Sequence, residues 1–316
     1  MHILFLHFSS CLAQPGERIL QVPQSIMMST KTALESPWGE MIRKDSQLQS
    51  MPEVSLAVHL LLEAAKANEA TDPAEDAIQD SLFDPTDPAG SDSVDLTRGS
   101  FWRTYLAILP PTCPNILKFQ GSHMDMLRYS GKIGRQLLLT SIKTIRSTLK
   151  AYLTLYRRYV PEKKEKGCNK GTSRKNCLVP GLTRSNFSWA GFRWAVCMVM
   201  SRQNKVPLPG FSGDINALVP VWDLLNHENL VHAGITTTAE IKNEQCVLLH
   251  HAPREFEENE ELTMYYGDRD NFSFLKYSGF SVRNNPNEKI TIHFPLFDSS
   301  SDELRKVRYV MLALTV

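Results

Sequence analysis

An α+β fold is what this sequence predicts, and three observations predict it. Helical periodicity is confined to a few stretches, chiefly 55–67, 137–159 and 189–200. Short apolar runs of strand character gather instead toward the C-terminal half, at 217–221, 235–238, 245–250 and 262–267. Third, the run Ala-Leu-Val-Pro-Val-Trp-Asp-Leu-Leu-Asn-His at 217–227 passes from apolar to polar with almost no transition. A buried strand leading straight into Asp223, Asn226 and His227 is how a rigid element carries a site.

Taken in order, the chain opens on Met1–Ala13, which has the look of a short secretory h-region without a basic n-region. A buried strand, or a start site other than the natural one, is the preferred reading. Pro15-Gly16 turns into a strand over 19–28. Ser55–Ala67 is a helix, with Leu56, His59, Leu60 and Glu63 at helical spacing. Residues 69–100 carry nine Asp or Glu against one Arg and few large apolar side chains. Such a stretch buries too little to offset its ordering entropy, so it is expected to be a disordered insertion. Phe101–Pro110 starts a short helix that Pro110-Pro111 stops.

Leu137–Tyr159 is a long helix with Leu138, Ile142, Ile145, Leu149, Leu153 and Tyr156 on one stripe. The basic segment 157–175, with eight Lys or Arg against two Glu, follows as a surface loop. Trp189–Met200 is a helix turning Phe192, Val196, Val199 and Met200 to the core. Two short antiparallel strands at 235–238 and 245–250 come next, then an acidic turn at 254–261. A strand at 262–267, a helical turn at 272–277 and a strand at 289–294 follow. Ser300-Ser-Asp-Glu303 has capping-box spacing and opens a helix reaching the last residue. The expectation is that both ends of the chain are cut short.

The totals exclude several classes. With 35 basic and 34 acidic residues among 316, there is no global charge to hold nucleic acid or a membrane surface. Six cysteines lie at 11, 113, 168, 177, 197 and 246, with no pair at zinc spacing, so neither a metal site nor a disulfide scaffold is expected. No run reaches the roughly 18–20 apolar residues of a membrane helix. A reduced, cytoplasmic chain is the expectation, with the nucleus as a second compartment, no membrane, and a monomeric state.

Three segments recur together: Phe192-Arg-Trp-Ala with Ser-Arg-Gln-Asn204, then Leu218–His227, then Glu261-Leu-Thr-Met-Tyr-Tyr-Gly267 followed by Asn271 and Tyr277-Ser-Gly-Phe280. Together they resemble the SET-domain methyltransferases of the Rubisco large-subunit methyltransferase type, and within them the members that modify a histidine of actin. The upstream segments 15–23 and 101–110 match in the right order, so the resemblance covers about 15–295.

It implies a knotted β fold with an inserted helical subdomain, followed by the start of a helical substrate-binding domain. The division expected is 1–14, an atypical N-terminus; 15–110, the first part of the SET domain, holding the acidic insertion; 111–184, the helical insert with its basic loop; 185–282, the catalytic part; and 283–316, the start of the substrate-binding domain. S-adenosylmethionine (AdoMet) is the implied cofactor and actin, or another protein, the partner. Arg202, Asp223, Asn226, His227, Ser278 and Phe280 match cofactor-binding positions. Tyr266 matches the tyrosine at the methyl-transfer channel, with Asn204 as the second catalytic residue. Trp222, Gln203, Met264 and Arg269 match substrate-facing positions.

These residue types suit the chemistry. Methyl transfer from a sulfonium is an in-line displacement needing no metal, so alignment of a neutral nitrogen is the main task. Histidine, with an ordinary pKa near ~6.5, is mostly neutral at cytosolic pH, whereas lysine near ~10.4 is not. The Asn204 amide is suited to holding one ring nitrogen, and Trp222 to packing on the ring plane; lysine-directed relatives tend to carry an aromatic residue where Asn204 stands. A lysine acceptor remains the alternative. So does a binding protein without activity, because the glycine-bearing cofactor segment of the family has no counterpart in Met1–Gln14.

Overall fold

In the computed structural model the described residues are 13–69, 100–160, 182–230 and 233–289. The expected first strand is broken by its own prolines and polar residues. β1 (Arg18–Pro23) ends at Pro23, a 3-10 turn spans Gln24–Ile26, and β2 is only Met28–Ser29. Ser29 then caps α1 (Thr30–Glu35) through a reciprocal box with Thr32, satisfying two orphan amides. α2 (Gly39–Lys44) and α3 (Ser46–Ser50) follow; Asp45 caps α3 by accepting from the Gln47 and Leu48 amides. None of these three short helices has enough length to show a periodic pattern in sequence.

α4 (Pro52–Glu69) is the helix predicted over 55–67, extended by three residues before it and two after. Leu56 and Leu60 are wholly buried on it, each burial contributing about 1.5–3 kcal/mol. It packs on α8 (Trp189–Arg202), where Phe192, Val196 and Val199 are buried as expected and Met200 partly so. Between these two come α5 (Arg103–Ile108), a 3-10 turn at Ile116–Lys118, α6 (Gly121–Tyr129) and α7 (Gly131–Tyr159). Arg158 and Tyr159 at the end of α7 both bond the buried Asp45 carboxylate, at 2.7 and 2.6 Å, and so fasten the long helix to α3.

The face α7 buries is not the stripe its large residues mark. Gly134, Leu137, Ser141, Thr148, Ala151 and Leu155 are buried, whereas Ile142, Leu149 and Leu153 are 46%, 37% and 39% exposed. Ile145 and Tyr156 are only partly buried against the core. Small residues stand at a seven-residue repeat on the buried face, 134, 141 and 148. At the first of them the chain passes close by: a Cβ on Gly134 would fall 2.6 Å from the Leu127 carbonyl oxygen at the end of α6.

Among the described residues three small sheets stand beside the helices. β1 pairs antiparallel with β7 (Gln245–His251), which pairs with β6 (Thr236–Lys242), a longer version of the predicted hairpin. β4 (Ile215–Leu218) lies between β2 and β3 (Asn204–Val206), both antiparallel to it. The third sheet pairs β5 (Asn226–His227) with β8 (Thr263–Met264) in parallel. The strand expected over 262–267 is therefore two residues long. The 217–227 stretch is likewise not one strand: β4 ends at Leu218 and the chain turns before β5.

α9 (Asn271–Tyr277) closes the described chain, capped by the Asp270 carboxylate. Two cores result, one among the helices and one between the sheets, with Leu218 and Val219 on either side of the divide. The strand expected in Met1–Ala13 (apart from Ala13), most of the acidic insertion, the greater part of the basic loop, the strand at 289–294 beyond Lys289 and the final helix lie outside the described residues. No described helix is long and apolar enough to cross a membrane.

Candidate active site

The site begins where α8 runs into β3 without a loop. Gln203 takes extended angles as the helix C-cap, and Asn204 is already paired with Ala217. The Asn204 side-chain amide donates to the Arg202 carbonyl at 3.0 Å, which fixes its orientation and turns its oxygen away from that bond. The buried Arg202 guanidinium donates to the Asp223 carbonyl at 2.6 Å, with Asp223 Oδ1 at 3.5 Å. On the other oxygen, the buried Tyr105 phenol donates to Asp223 Oδ2 at 2.5 Å.

Asp223 is placed by a turn rather than a strand. Val221 has φ 68 and ψ −51, and the Trp222 amide bonds the Pro220 carbonyl at 2.8 Å. This is a γ-turn of the rarer hand, carried by a β-branched residue, which costs about 1–3 kcal/mol and persists only where the surroundings over-determine it. The 3-10 turn Trp222–Leu224 follows, with the Asp223 amide on the Val219 carbonyl. Burial raises the Asp223 carboxyl to about 6, against the pull of Arg202 and Tyr105 in the other direction.

Across from this trio, β5 and β8 join segments far apart in sequence. Asn226 faces Thr263 and His227 faces Met264. The Asn226 amide donates to Glu261 at 2.6 Å, and the Glu228 amide to the Met264 carbonyl at 2.8 Å. Gly234 allows the chain to pass alongside: a Cβ there would sit 3.0 Å from Met264 Cα. Tyr266, just beyond β8, donates its phenol to the Leu225 carbonyl at 2.6 Å, and its amide donates to His227 Nδ1 at 3.3 Å. Burial pushes the Tyr266 phenol up to about 12, so at neutral pH it is a proton-bearing donor and not a base.

His227 packs within a ring cluster, 5.2 Å from Tyr266, 4.6 Å from Phe274 and 6.2 Å from Phe280 between centroids. Phe280 in turn stacks on Phe274 at 5.0 Å. Gly279, with φ +80, caps α9 through its amide on the Phe274 carbonyl, and no side chain fits there.

The residues expected from sequence therefore fall into two connected groups and one separate one. Arg202, Asp223 and Asn204 are bonded in one chain. Tyr266, His227 and Phe280 share the ring cluster, with Met264 buried beneath and Asn226 beside it. Ser278 is buried at the end of α9, and the partly buried Arg269 is shifted down by desolvation with Tyr266 and Tyr277 as its nearby groups. Trp222 stands apart: it is buried in the sheet core and stacked on His250 at 4.0 Å and 22°.

Tyr105, Glu261 and His250 are the participants that sequence reading missed. Tyr105 reads as a core aromatic, and only the fold reveals that its hydroxyl meets a carboxylate 118 residues away. Glu261 stood inside the matched motif, and its position directly before Leu262-Thr263 was the available signal.

Of the nine buried side-chain atoms without a partner among the described residues, three belong to residues expected at the site: Arg202 Nε, Gln203 Oε1 and Ser278 Oγ. Buried polar groups are normally satisfied, so orphans beside a site indicate ligand or solvent contacts. They supply donors of both the charged and the hydroxyl kind and one acceptor, which fits an amino-acid-bearing ligand. Among the described residues no cluster of His, Cys, Asp or Glu could hold a metal.

The class defined by this geometry is the SET-domain fold, as comparison with solved structures shows. The SET domain of LSMT bound to lysine and AdoHcy superposes with a TM-score of 0.61 at 17% identity, over 93% of this chain and 54% of that one. Rubisco LSMT bound to AdoMet superposes with a TM-score of 0.59 at 16% identity, over 97% of this chain and 56% of the other.

By sequence, the chain is related to actin-histidine N-methyltransferases. Those of Gallus gallus and Homo sapiens are 28% identical over 297 residues, 94% of this chain and 41% of theirs. The chain thus spans about two fifths of the length of these curated relatives. No family model matches it.

Buried imidazoles give the fold a marked pH dependence. Desolvation lowers His227 and His250 from 6.5 to about 4, and His59 to about 3. In each case the folded protein binds fewer protons than the unfolded chain, so the stability these residues contribute is present above 6.5 and is lost as pH falls toward 4. Asp223 runs the other way, losing stability as pH rises from 3.8 to about 6, but is outnumbered. The melting temperature should therefore drop steadily between about pH 6.5 and pH 4.5, and His250→Gln should flatten that slope. A melting temperature unchanged across this window would contradict the assignment of neutral buried histidines.

Proposed function

We propose that this chain is an AdoMet-dependent protein-histidine N-methyltransferase acting on actin. The observation that carries the reading is the parallel pairing of Asn226-His227 with the strand leading to Tyr266. It sets a protonated phenol and an aromatic cluster beside three orphaned polar atoms.

AdoMet, when bound, supplies a methyl group on a sulfonium for in-line transfer to a nitrogen lone pair. Arg202 Nε and Ser278 Oγ are the groups free to hold it, with Asn226, His227 and Phe280 forming the adjoining wall. Asp223, whose carboxylate is taken up by Tyr105 and Arg202, acts by holding the guanidinium in place. Tyr266 orients the transfer channel, its hydroxyl fixed on the Leu225 carbonyl.

Asn204 supports histidine as the acceptor. With its amide nitrogen committed to the Arg202 carbonyl, its oxygen is left to accept from the ring N–H of a bound imidazole. That selects the tautomer whose other nitrogen carries the lone pair. Arg269, Gln203, Met264 and Trp222 are the substrate-facing residues of this reading, Trp222 acting from beneath since its ring is buried. Lysine as acceptor has one observation in its favour, the lysine bound in the LSMT structure of the same fold. The greater sequence likeness lies with the histidine-directed relatives.

Incubation with an actin peptide and AdoMet, followed by tandem mass spectrometry, tests the reading. One added methyl on histidine is expected. Tyr266→Phe should reduce the rate by about 10²-fold, since the hydroxyl oxygen that the Leu225 carbonyl holds in place at the channel is lost, and alignment with it. Modified lysine beside unmodified histidine would sink the histidine assignment. No AdoMet binding by calorimetry would sink catalysis altogether.

A further inference from the structure

We infer that the outer face of α7 is a docking surface for an acidic, amphipathic helix of a partner protein. This surface lies outside the active site and does not depend on the methyl-transfer reading. Between Gly131 and Tyr159 there are seven Lys or Arg and no Asp or Glu. A helix of this kind on a near-neutral chain is a local concentration of one sign.

The charge is organised. Lys143, Arg146, Lys150 and Arg157, at i, i+3, i+7 and i+14, form one exposed ridge. Ile142, Leu149 and Leu153, at i, i+7 and i+11, form a second ridge beside it, 46%, 37% and 39% exposed. Among the described residues none forms an ion pair with the basic ridge, and the one ion pair of this helix is that of Arg158 with Asp45.

Two parallel ridges at helical spacing have a specific complement. A helix laid along them would place apolar anchors against Ile142, Leu149 and Leu153 and carboxylates against the basic row. The stretch from Ile142 to Arg157 is about 22 Å long, enough for roughly four turns.

The face suits a membrane less well. The basic ridge lies opposite the buried line of Leu137, Ser141, Thr148 and Leu155 and so points straight away from the core, while the apolar ridge lies on its flank. A helix resting in a bilayer surface needs the reverse, its apolar arc outermost.

The test uses the full chain and a dye-labelled helical peptide of about 18 residues, carrying a Leu ridge beside a Glu ridge. Saturable binding is expected, weakening with added salt. Arg146→Glu/Lys150→Glu and Leu149→Ser/Leu153→Ser should each weaken it by about tenfold or more while the melting temperature stays unchanged. Absence of saturable binding, or binding that neither double variant alters, would overturn the proposal. Two further outcomes would also overturn it. One is co-sedimentation with phosphatidylserine–phosphatidylcholine vesicles that the peptide does not compete away, which assigns the face to lipid. The other is peptide binding only after residues 70–99 are replaced by a Gly-Ser linker, which assigns it to the chain's own acidic stretch.

Discussion

Arg202→Met is expected to destabilise the fold by about 3–5 kcal/mol and to abolish AdoHcy binding. The substitution keeps most of the side-chain volume but leaves the Asp223 carboxylate buried with only the Tyr105 hydroxyl for a partner. An uncompensated buried charge is among the costliest changes a fold can suffer. The triple change Arg202→Met/Asp223→Leu/Tyr105→Phe removes every polar member at once and should recover most of the loss, since replacing a buried polar set by apolar groups is often near neutral.

Chemical denaturation reads stability and calorimetry reads binding. The triple variant should regain the first without the second. If it bound AdoHcy like the parent chain, the trio would be a structural feature with no bearing on the cofactor.

Gly279→Ala should be nearly as damaging. The residue has φ +80, where any side chain costs about 1–2 kcal/mol, and the new Cβ would lie 2.6 Å from the Pro114 carbonyl carbon and 2.7 Å from its oxygen. Both are backbone atoms, tied to the buried Asn115, whose amide reaches the Tyr277 carbonyl. The two segments must separate, carrying Ser278 and Phe280 away from His227, at a total of about 3 kcal/mol or more. Gly267→Ala is the control. It has φ +95 but open space around the Cβ, so only the backbone term of about 1–2 kcal/mol applies. Equal melting temperatures for the two variants would show that the contact with Pro114 is not close enough to matter.

Much of the helical scaffold was legible in the residues. α4 and α8 were located from apolar residues at helical spacing, but both are buried on more than one face. Residues 54–63 and 195–199 are buried without a break, and spacing named only Phe192, Val196 and Val199 of the buried set on α8. α7 was located but faced wrongly. Its large side chains mark one stripe, yet the buried face carries Gly134, Ser141 and Thr148 beside Leu137, Ala151 and Leu155, and a count of large apolar residues gives small ones no weight. α1, α2, α3 and α6 escaped notice because five to nine residues give too few turns for a period to emerge.

The hairpin β6–β7 was legible as two short runs of strand character, Ile235–Thr238 and Gln245–His250. The breaks in 19–28 and 217–227 were not. A proline or a γ-turn ends a strand without changing the apolar count that suggested it.

The sequence by itself determined the types of residue available to the site, their spacing within each motif, and the resemblance that those motifs carry. It determined that Asp223, Asn226, His227 and Tyr266 would be close along two short stretches of chain. Only the tertiary structure decided which of them meet, because the contacts that join the two halves of the site are long-range. Tyr105 bonds Asp223 across 118 residues, Asn226 bonds Glu261 across 35, and Tyr266 bonds Leu225 across 41. Such pairings carry no local propensity. They follow from parallel strand pairing and from the burial of charged groups, both of which exist only once the chain has closed on itself.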